Sequence, residues 1–151
     1  MVVYRIGKAQ YSSDLSGEGA RLFGGRWNRV GVPCLYTSQS RALALLEFSV
    51  NVGFDFIPPN LSFSVIEIED NAIDELALDD LPQNWRAVPS GSETKLYGSE
   101  KLKNSLFPVL KVPSVILPTE FNFILNPAHN GSSVFKIIGI EPFEYDYRIK
   151  K

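Results

Sequence analysis

Between Ser40 and Val52 apolar residues occupy every side of a 3.6-residue period. Leu43, Leu46 and Val50 share one face, and Ala42, Leu45 and Phe48 fill the others. The spacing predicts a helix over 40–52, apolar nearly all round and therefore buried, capped by Ser38 or Ser40 and stopped at Gly53. Elsewhere strands dominate. Val2–Ile6, Leu35–Thr37, Leu61–Val65 with Ile66 and Ile68, Val109–Val112, Val115–Leu117, Phe121–Leu125 and Phe135–Ile140 are short runs rich in β-branched and aromatic residues. The run from Leu61 alternates with Ser62 and Ser64, so it reads as half-covered at its start and buried later. Leu96, Tyr97, Leu102 and Leu106 predict a second helix over Thr94–Leu106, weakened by Gly98, and Ala72–Leu78 a short acidic one. Residues 7–23 read as a polar loop with Asp14, Glu18 and Arg21 in water, and Leu81-Pro82 with Trp85 as a packed loop. Val30–Pro33 reads as a turn, and Phe143–Lys151 as an exposed aromatic and basic tail.

One residue breaks the central pattern. Glu47 shares the face of Leu43, Leu46 and Val50, where a leucine is expected. An unpaired buried carboxylate is prohibitive, so it needs a cation, donors or a wet cavity. The ordinary solutions are an ion pair with an arginine or a seat at the helix margin. Arg26 and Tyr36 precede Glu47 at near-equal intervals, as two short strands feeding a helix would place them. Gly24 and Gly25 let the backbone turn into the strand that carries Arg26, and Trp27 is expected to pack beneath it. An arginine, a tyrosine and a glutamate on consecutive elements form a constellation suited to a site.

These residues also carry a resemblance. Gly25-Arg26-Trp27-Asn28, Tyr36-Thr37-Ser38 and Ala42 through Glu47, in that order, resemble the RES-domain family. Tyr4-Arg5, Val112-Pro113-Ser114 and the run from Asn122 to Asn126-Pro127-Ala128-His129 extend the likeness over nearly the whole chain, as a single domain of residues 1–151. RES proteins are toxins of bacterial toxin–antitoxin pairs that degrade NAD. Their fold is similar to that of ADP-ribosyltransferase toxins, and their usual partner is an Xre-type antitoxin. The resemblance therefore implies a single α+β domain with a strand-built cleft and few helices. It further implies NAD as substrate with no separate cofactor, a cytoplasmic setting, and a homodimer within the antitoxin complex. The arginine, glutamate and serine of the family's name fall at Arg26, Glu47 and Ser114. By matching position, Arg26, Tyr36 and Glu47 are expected to be catalytic. Arg5 and Arg26 would bind the pyrophosphate, Tyr36 would stack on or hydrogen-bond near the nicotinamide ribose, and Ser114 would fix the nicotinamide end. The acceptor stays open between water, phosphate and a protein side chain. A non-catalytic module, with Arg26, Tyr36 and Glu47 as a structural network, is the reading from a different class.

Composition narrows these alternatives. A chain of 151 residues, 44% hydrophobic, suits one domain with a real core. Fifteen Lys and Arg against 17 Asp and Glu leave a net charge of -2, without the basic excess of a nucleic-acid binder. No apolar run predicts a membrane helix, and Met1–Arg5 lacks the features of a signal peptide. The one cysteine, Cys34, reads as a small core residue, and with one histidine beside it no zinc site of the usual ligands is expected. His129 reads as a structural cap of the turn 126–129.

Overall fold

A computed structural model describes residues 1–150. Its seven strands are β1 (Val2–Lys8), β2 (Leu35–Ser38), β3 (Leu61–Glu67), β4 (Ile73–Glu75), β5 (Val109–Pro113), β6 (Phe121–Leu125) and β7 (Lys136–Phe143). They form one sheet in the order β4-β5-β6-β2-β1-β3-β7, antiparallel throughout except for β4 beside β5. Three helices, α1 (Glu18–Phe23), α2 (Arg41–Asn51) and α3 (Ser92–Asn104), complete the α+β architecture that was expected. Among the described residues no helix is long and apolar enough to cross a membrane.

The sheet has a seam. Strand β1 pairs with β3 along its whole length, but it meets β2 only where Tyr4 faces Ser38. Side chains alternate along each strand, so the register Tyr4–Ser38–Asn122 and Tyr36–Ile124 puts these five residues on one face. Two clusters lie on that face. Ile6 and Phe63 pack with Ala44 and Phe48 of α2, and Trp27, Leu110, Val112 and Ile124 pack with Leu102 of α3. The opposite face buries Val3, Leu35, Ile66, Phe123 and Leu125 beneath Phe135.

Several expectations change. Helix α2 is capped by Ser40, whose Oγ accepts from Leu43 N at 3.1 Å, but it lies against the sheet on one side only. Ala42 and Val50 are therefore exposed, and the helix is half-buried rather than enclosed. It ends at Asn51, ahead of Gly53. The loop 7–23 contains α1, preceded by Gly17 at φ 71°, where a Cβ would also stand 2.8 Å from the Cys34 amide nitrogen. Ala72–Leu78 is not a helix. Ile73 pairs with Val109, and β4 satisfies its backbone as a short parallel edge strand. Arg26 is not on a strand either: Gly25 and Asn28 bridge each other, leaving Arg26 and Trp27 at the tip of a tight turn. Strand β5 runs into Pro113, and Val115–Leu117 does not continue it. There Ser114 Oγ accepts from the amides of Ile116 and Leu117 and curls the chain. Strand β3 is buried from Leu61 onward because β1 and β7 flank it and both faces are covered. Helix α3 starts and stops two residues early, leaving Leu106 87% exposed beyond its end. The tail does not hang free: Tyr145 is buried against Phe48, and Lys150 Nζ donates to Ser49 O and Val52 O at the end of α2. Lys151 lies outside the described residues.

Candidate active site

The Glu47 carboxylate is held by donors rather than by a cation. Its Oε1 accepts from Ser114 Oγ at 2.7 Å and from Asn122 Nδ2 at 2.6 Å. Both donors are themselves fixed. Asn122 Oδ1 accepts from Ser38 Oγ at 2.7 Å, and Ser114 Oγ accepts from Ile116 N at 3.1 Å and Leu117 N at 3.2 Å. Ser114 is fully buried, and its one hydrogen and both lone pairs are used. It stands behind Glu47 and is not part of the cavity wall, a placement that does not suit the direct ligand contact expected of it. Among the described residues Glu47 Oε2 has no protein donor.

Glu47 lines a cavity of about 460 Å³ with Tyr4, Arg26, Tyr36, Asn51 and Asn122. This brings together the three residues predicted to be catalytic. Arg26 makes no ion pair with Glu47. Its NH1 donates to Trp85 O at 2.9 Å and Ala87 O at 2.7 Å, which leaves Nε and NH2 without protein partners among the described residues. Burial lowers its pKa, and Glu47 and Tyr36 oppose that shift through space. An arginine remains charged under such conditions.

Tyr36 offers its ring rather than its hydroxyl. The hydroxyl accepts from Trp27 N at 3.0 Å and donates to Asn28 Oδ1 at 2.6 Å. Burial holds the phenol well above its ordinary pKa, so it stays protonated. Asn28 in turn donates to Ala20 O and Val32 O. The tip of the Arg26 turn is thus sewn to β2, and Gly25 is required there, since a Cβ would stand 2.6 Å from the Tyr36 hydroxyl. Trp27 packs beneath it as expected, stacked on Trp85 at 6.3 Å.

Arg5 approaches from the other side. Alternation along β1 points it away from Tyr4, and its NH2 donates to Tyr11 O at 3.1 Å and Asp14 O at 2.9 Å. Burial lowers its pKa, with Asp14 acting the other way. It borders the Glu47 cavity and a second cavity of about 630 Å³, and Ile6, Gly19, Ala20 and Tyr36 also border both. The two cavities therefore adjoin across the seam between β1 and β2.

Three contributors escaped the sequence reading of roles: Asn122, Asn28 and Lys95, whose Nζ donates to Gly25 O at 2.6 Å. Asn122 had a local signal, an amide between Phe121 and Phe123 in an otherwise apolar strand. Asn28 stood in the Gly25-Arg26-Trp27-Asn28 motif without a role assigned to it, and Lys95 had no signal. Two residues stay structural. His129 uses both ring nitrogens, Nδ1 for Gly131 N and Nε2 for Ser105 O. Cys34 is buried, which pushes its thiol up to about 12 and makes it a poor nucleophile. Among the described residues no three His, Cys, Asp or Glu side chains gather to hold a metal ion.

The geometry has relatives. Residues 2–147 match the family described as RES domain. The Toxin Res of Photorhabdus laumondii is 42% identical over 128 residues, covering 84% of this chain and 82% of the relative. The Prs ADP-ribosylating toxin of a Sphingobium species is 38% identical over 141 residues, 91% and 88% of the two chains. The Toxin Res of Yersinia enterocolitica is 37% identical over 153 residues, 99% and 100% of the two. A chain in the crystal structure of the M. tuberculosis MbcT–MbcA toxin–antitoxin complex shares the fold, with a TM-score of 0.73 at 19% identity, over 94% of this chain and 83% of that one. The chain belongs to the RES-domain family, whose curated relatives are toxins.

Proposed function

We propose that this protein is the toxin of a bacterial toxin–antitoxin pair and acts in the cytoplasm by cleaving the bond between nicotinamide and its ribose in NAD, with an Xre-type antitoxin restraining it. The observation that carries the reading is the state of Glu47: one carboxylate oxygen is fixed by two donors, the other has no protein donor, and the group lines a cavity beside Arg26 and Tyr36. In NAD the leaving group is already activated. The bond from ribose C1′ to the ring nitrogen breaks, its electron pair goes to that nitrogen, and nicotinamide departs neutral. C1′ is left oxocarbenium-like. A fixed carboxylate stabilises such a centre because it need not reorganise as charge develops. Glu47 also suits orientation of the acceptor, whose oxygen forms the new bond to C1′ and whose proton passes to the carboxylate or to solvent.

The remaining groups fit binding. Arg26 has Nε and NH2 available as a fork for the pyrophosphate. Arg5 lies where the two cavities adjoin, suiting a ligand with two nucleoside halves joined by phosphates. The Tyr36 ring presents a stacking surface. Ser114 contributes through Glu47, whose position it fixes.

Transfer of ADP-ribose to a protein is the second reading, favoured by the name of the Sphingobium relative, the Prs ADP-ribosylating toxin. Purified protein incubated with NAD alone separates the readings. Nicotinamide released without a protein acceptor supports cleavage to water or phosphate. Label arriving on an added protein supports transfer. Absence of both turnover and NAD binding overturns both readings and leaves a partner-binding module.

A further inference from the structure

The turn that carries Arg26 lies along one face of α3, and the two run in step. Lys95, Gly98, Ser99 and Leu102 follow the i, i+3, i+4, i+7 spacing of a helix face. Lys95 Nζ donates to Gly25 O at 2.6 Å. At Gly98 a Cβ would stand 2.0 Å from Trp27 O, so the helix gives up a side chain there to let the turn's backbone touch it. Ser99 Oγ accepts from Arg29 N at 2.9 Å, and Leu102 closes the face beside Trp27. A glycine in a helix interior is unfavourable relative to alanine. The close approach to Trp27 is what that position serves. Arg26 therefore sits between two contacts with α3, at Gly25 and at Trp27, while its guanidinium is levelled by Trp85 O and Ala87 O.

We infer that this face of α3 is a positioning surface for Arg26, with Lys95 and Ser99 as positioning residues that set where the arginine's free donors meet the pyrophosphate. The inference rests on the NAD reading above. Lys95 does not line the Glu47 cavity; it acts on the turn through the Gly25 carbonyl and, as a neighbouring cation, on Arg26 through space. A forked, two-bond contact with a phosphate depends on the exact placement of both donors, so a small shift of the turn weakens binding.

The test pairs amide exchange with kinetics. In Lys95→Met and Ser99→Ala the Gly25 and Trp27 amides, bonded to Asn28 O and to the Tyr36 hydroxyl, should exchange several-fold faster than in the wild type. In the same variants KM for NAD should rise about tenfold or more with kcat little changed, the pattern of lost ground-state and transition-state binding alike. Lys95→Arg, which keeps a cationic donor, should restore both. Gly98→Ala should exceed either single change, and if it fails to fold the other variants still decide. Unchanged exchange in Lys95→Met and Ser99→Ala overturns the inference. So does a raised KM without faster exchange, which would make Lys95 a direct ligand contact, and so does faster exchange with an unchanged KM. A wild-type protein inert toward NAD, with exchange at the turn still quickened by the variants, would remove the cleavage reading while keeping the turn's dependence on α3.

Discussion

Ser114→Ala separates a residue that touches substrate from one that holds the carboxylate. The change deletes a hydrogen bond to the Glu47 carboxylate at 2.7 Å and removes the acceptor of the Ile116 and Leu117 amides. A hydrogen bond to a charged group contributes about 1.5–3 kcal/mol, and an unpaired buried amide costs about 1–3 kcal/mol. Since the amides are only partly buried and water can reach them, a loss of roughly 2–4 kcal/mol is expected. A domain of ordinary stability survives that with Tm lowered by roughly 5–15 °C. Glu47 then keeps only Asn122. A loosened carboxylate should lower kcat for nicotinamide release about ten- to a hundredfold, with KM for NAD nearly unchanged, because the carboxylate acts on charge that appears in the transition state. The assay is initial rates at saturating NAD, well below the melting point of the weakest variant, beside thermal melts. Asn122→Ala and the double variant complete a cycle. Two donors on one oxygen should couple by roughly 0.5–3 kcal/mol. A Ser114→Ala protein that melts earlier but keeps wild-type kcat would refute the reasoning, and so would strict additivity. A raised KM at constant kcat would return Ser114 to the direct ligand contact first expected of it.

Three further outcomes follow from the geometry. Glu47→Gln keeps an oxygen for Ser114 and Asn122, so it should fold normally while turnover falls by roughly 10²–10⁴-fold; full activity would remove Glu47 from the chemistry. Arg26→Lys can still reach Trp85 O and Ala87 O but leaves no second limb, so calorimetry should show NAD affinity down about tenfold or more, whereas unchanged affinity would contradict a pyrophosphate fork. Cys34 should alkylate at pH 8 far more slowly in the native protein than in urea, because burial both raises and shields its thiol. Its thiol is raised from 9.0 to about 12, so the native state keeps a proton that the unfolded chain loses. The associated stability is complete below pH 9 and falls by about 1.4 kcal/mol per unit as pH rises toward 12; urea melts of wild type and Cys34→Ala should diverge across that window.

Local pattern revealed what local pattern can encode. Glu47 stood out because a carboxylate interrupted a run of leucines, and β1, β2 and β6 appeared as short apolar strands within a residue or two of their bounds. The partners of Glu47 lie 67 and 75 positions away, and no periodicity connects residues so distant. The composition of the Arg26 segment suits strand or turn alike; the choice is made by Tyr36, Asn28 and the bare backbone at Gly98. Gly98 counted against a helix when α3 was considered alone, and only the neighbouring turn explains it. Strand β4 reads as a helix by composition because its acidic residues sit on an edge strand whose pairing is decided by β5. In the tail, Tyr145 and Lys150 look solvent-facing by composition but dock on the helix that carries Glu47.

The single point of pairing between β1 and β2 has a cost and a use. A continuous sheet spreads its cooperativity through the hydrogen-bond ladder; here the ladder is interrupted at its middle, between β7-β3-β1 and β2-β6-β5-β4. The two halves are expected to open as separate units in native-state exchange, joined by Tyr4–Ser38 and by α2, which packs on both β1 and β2. A ligand held by Arg5 of β1 and Tyr36 of β2 would tie the two halves through side chains, and their opening would then become more cooperative. Thermal stabilisation by such a ligand would therefore report the tying of the two halves as well as the filling of a cavity.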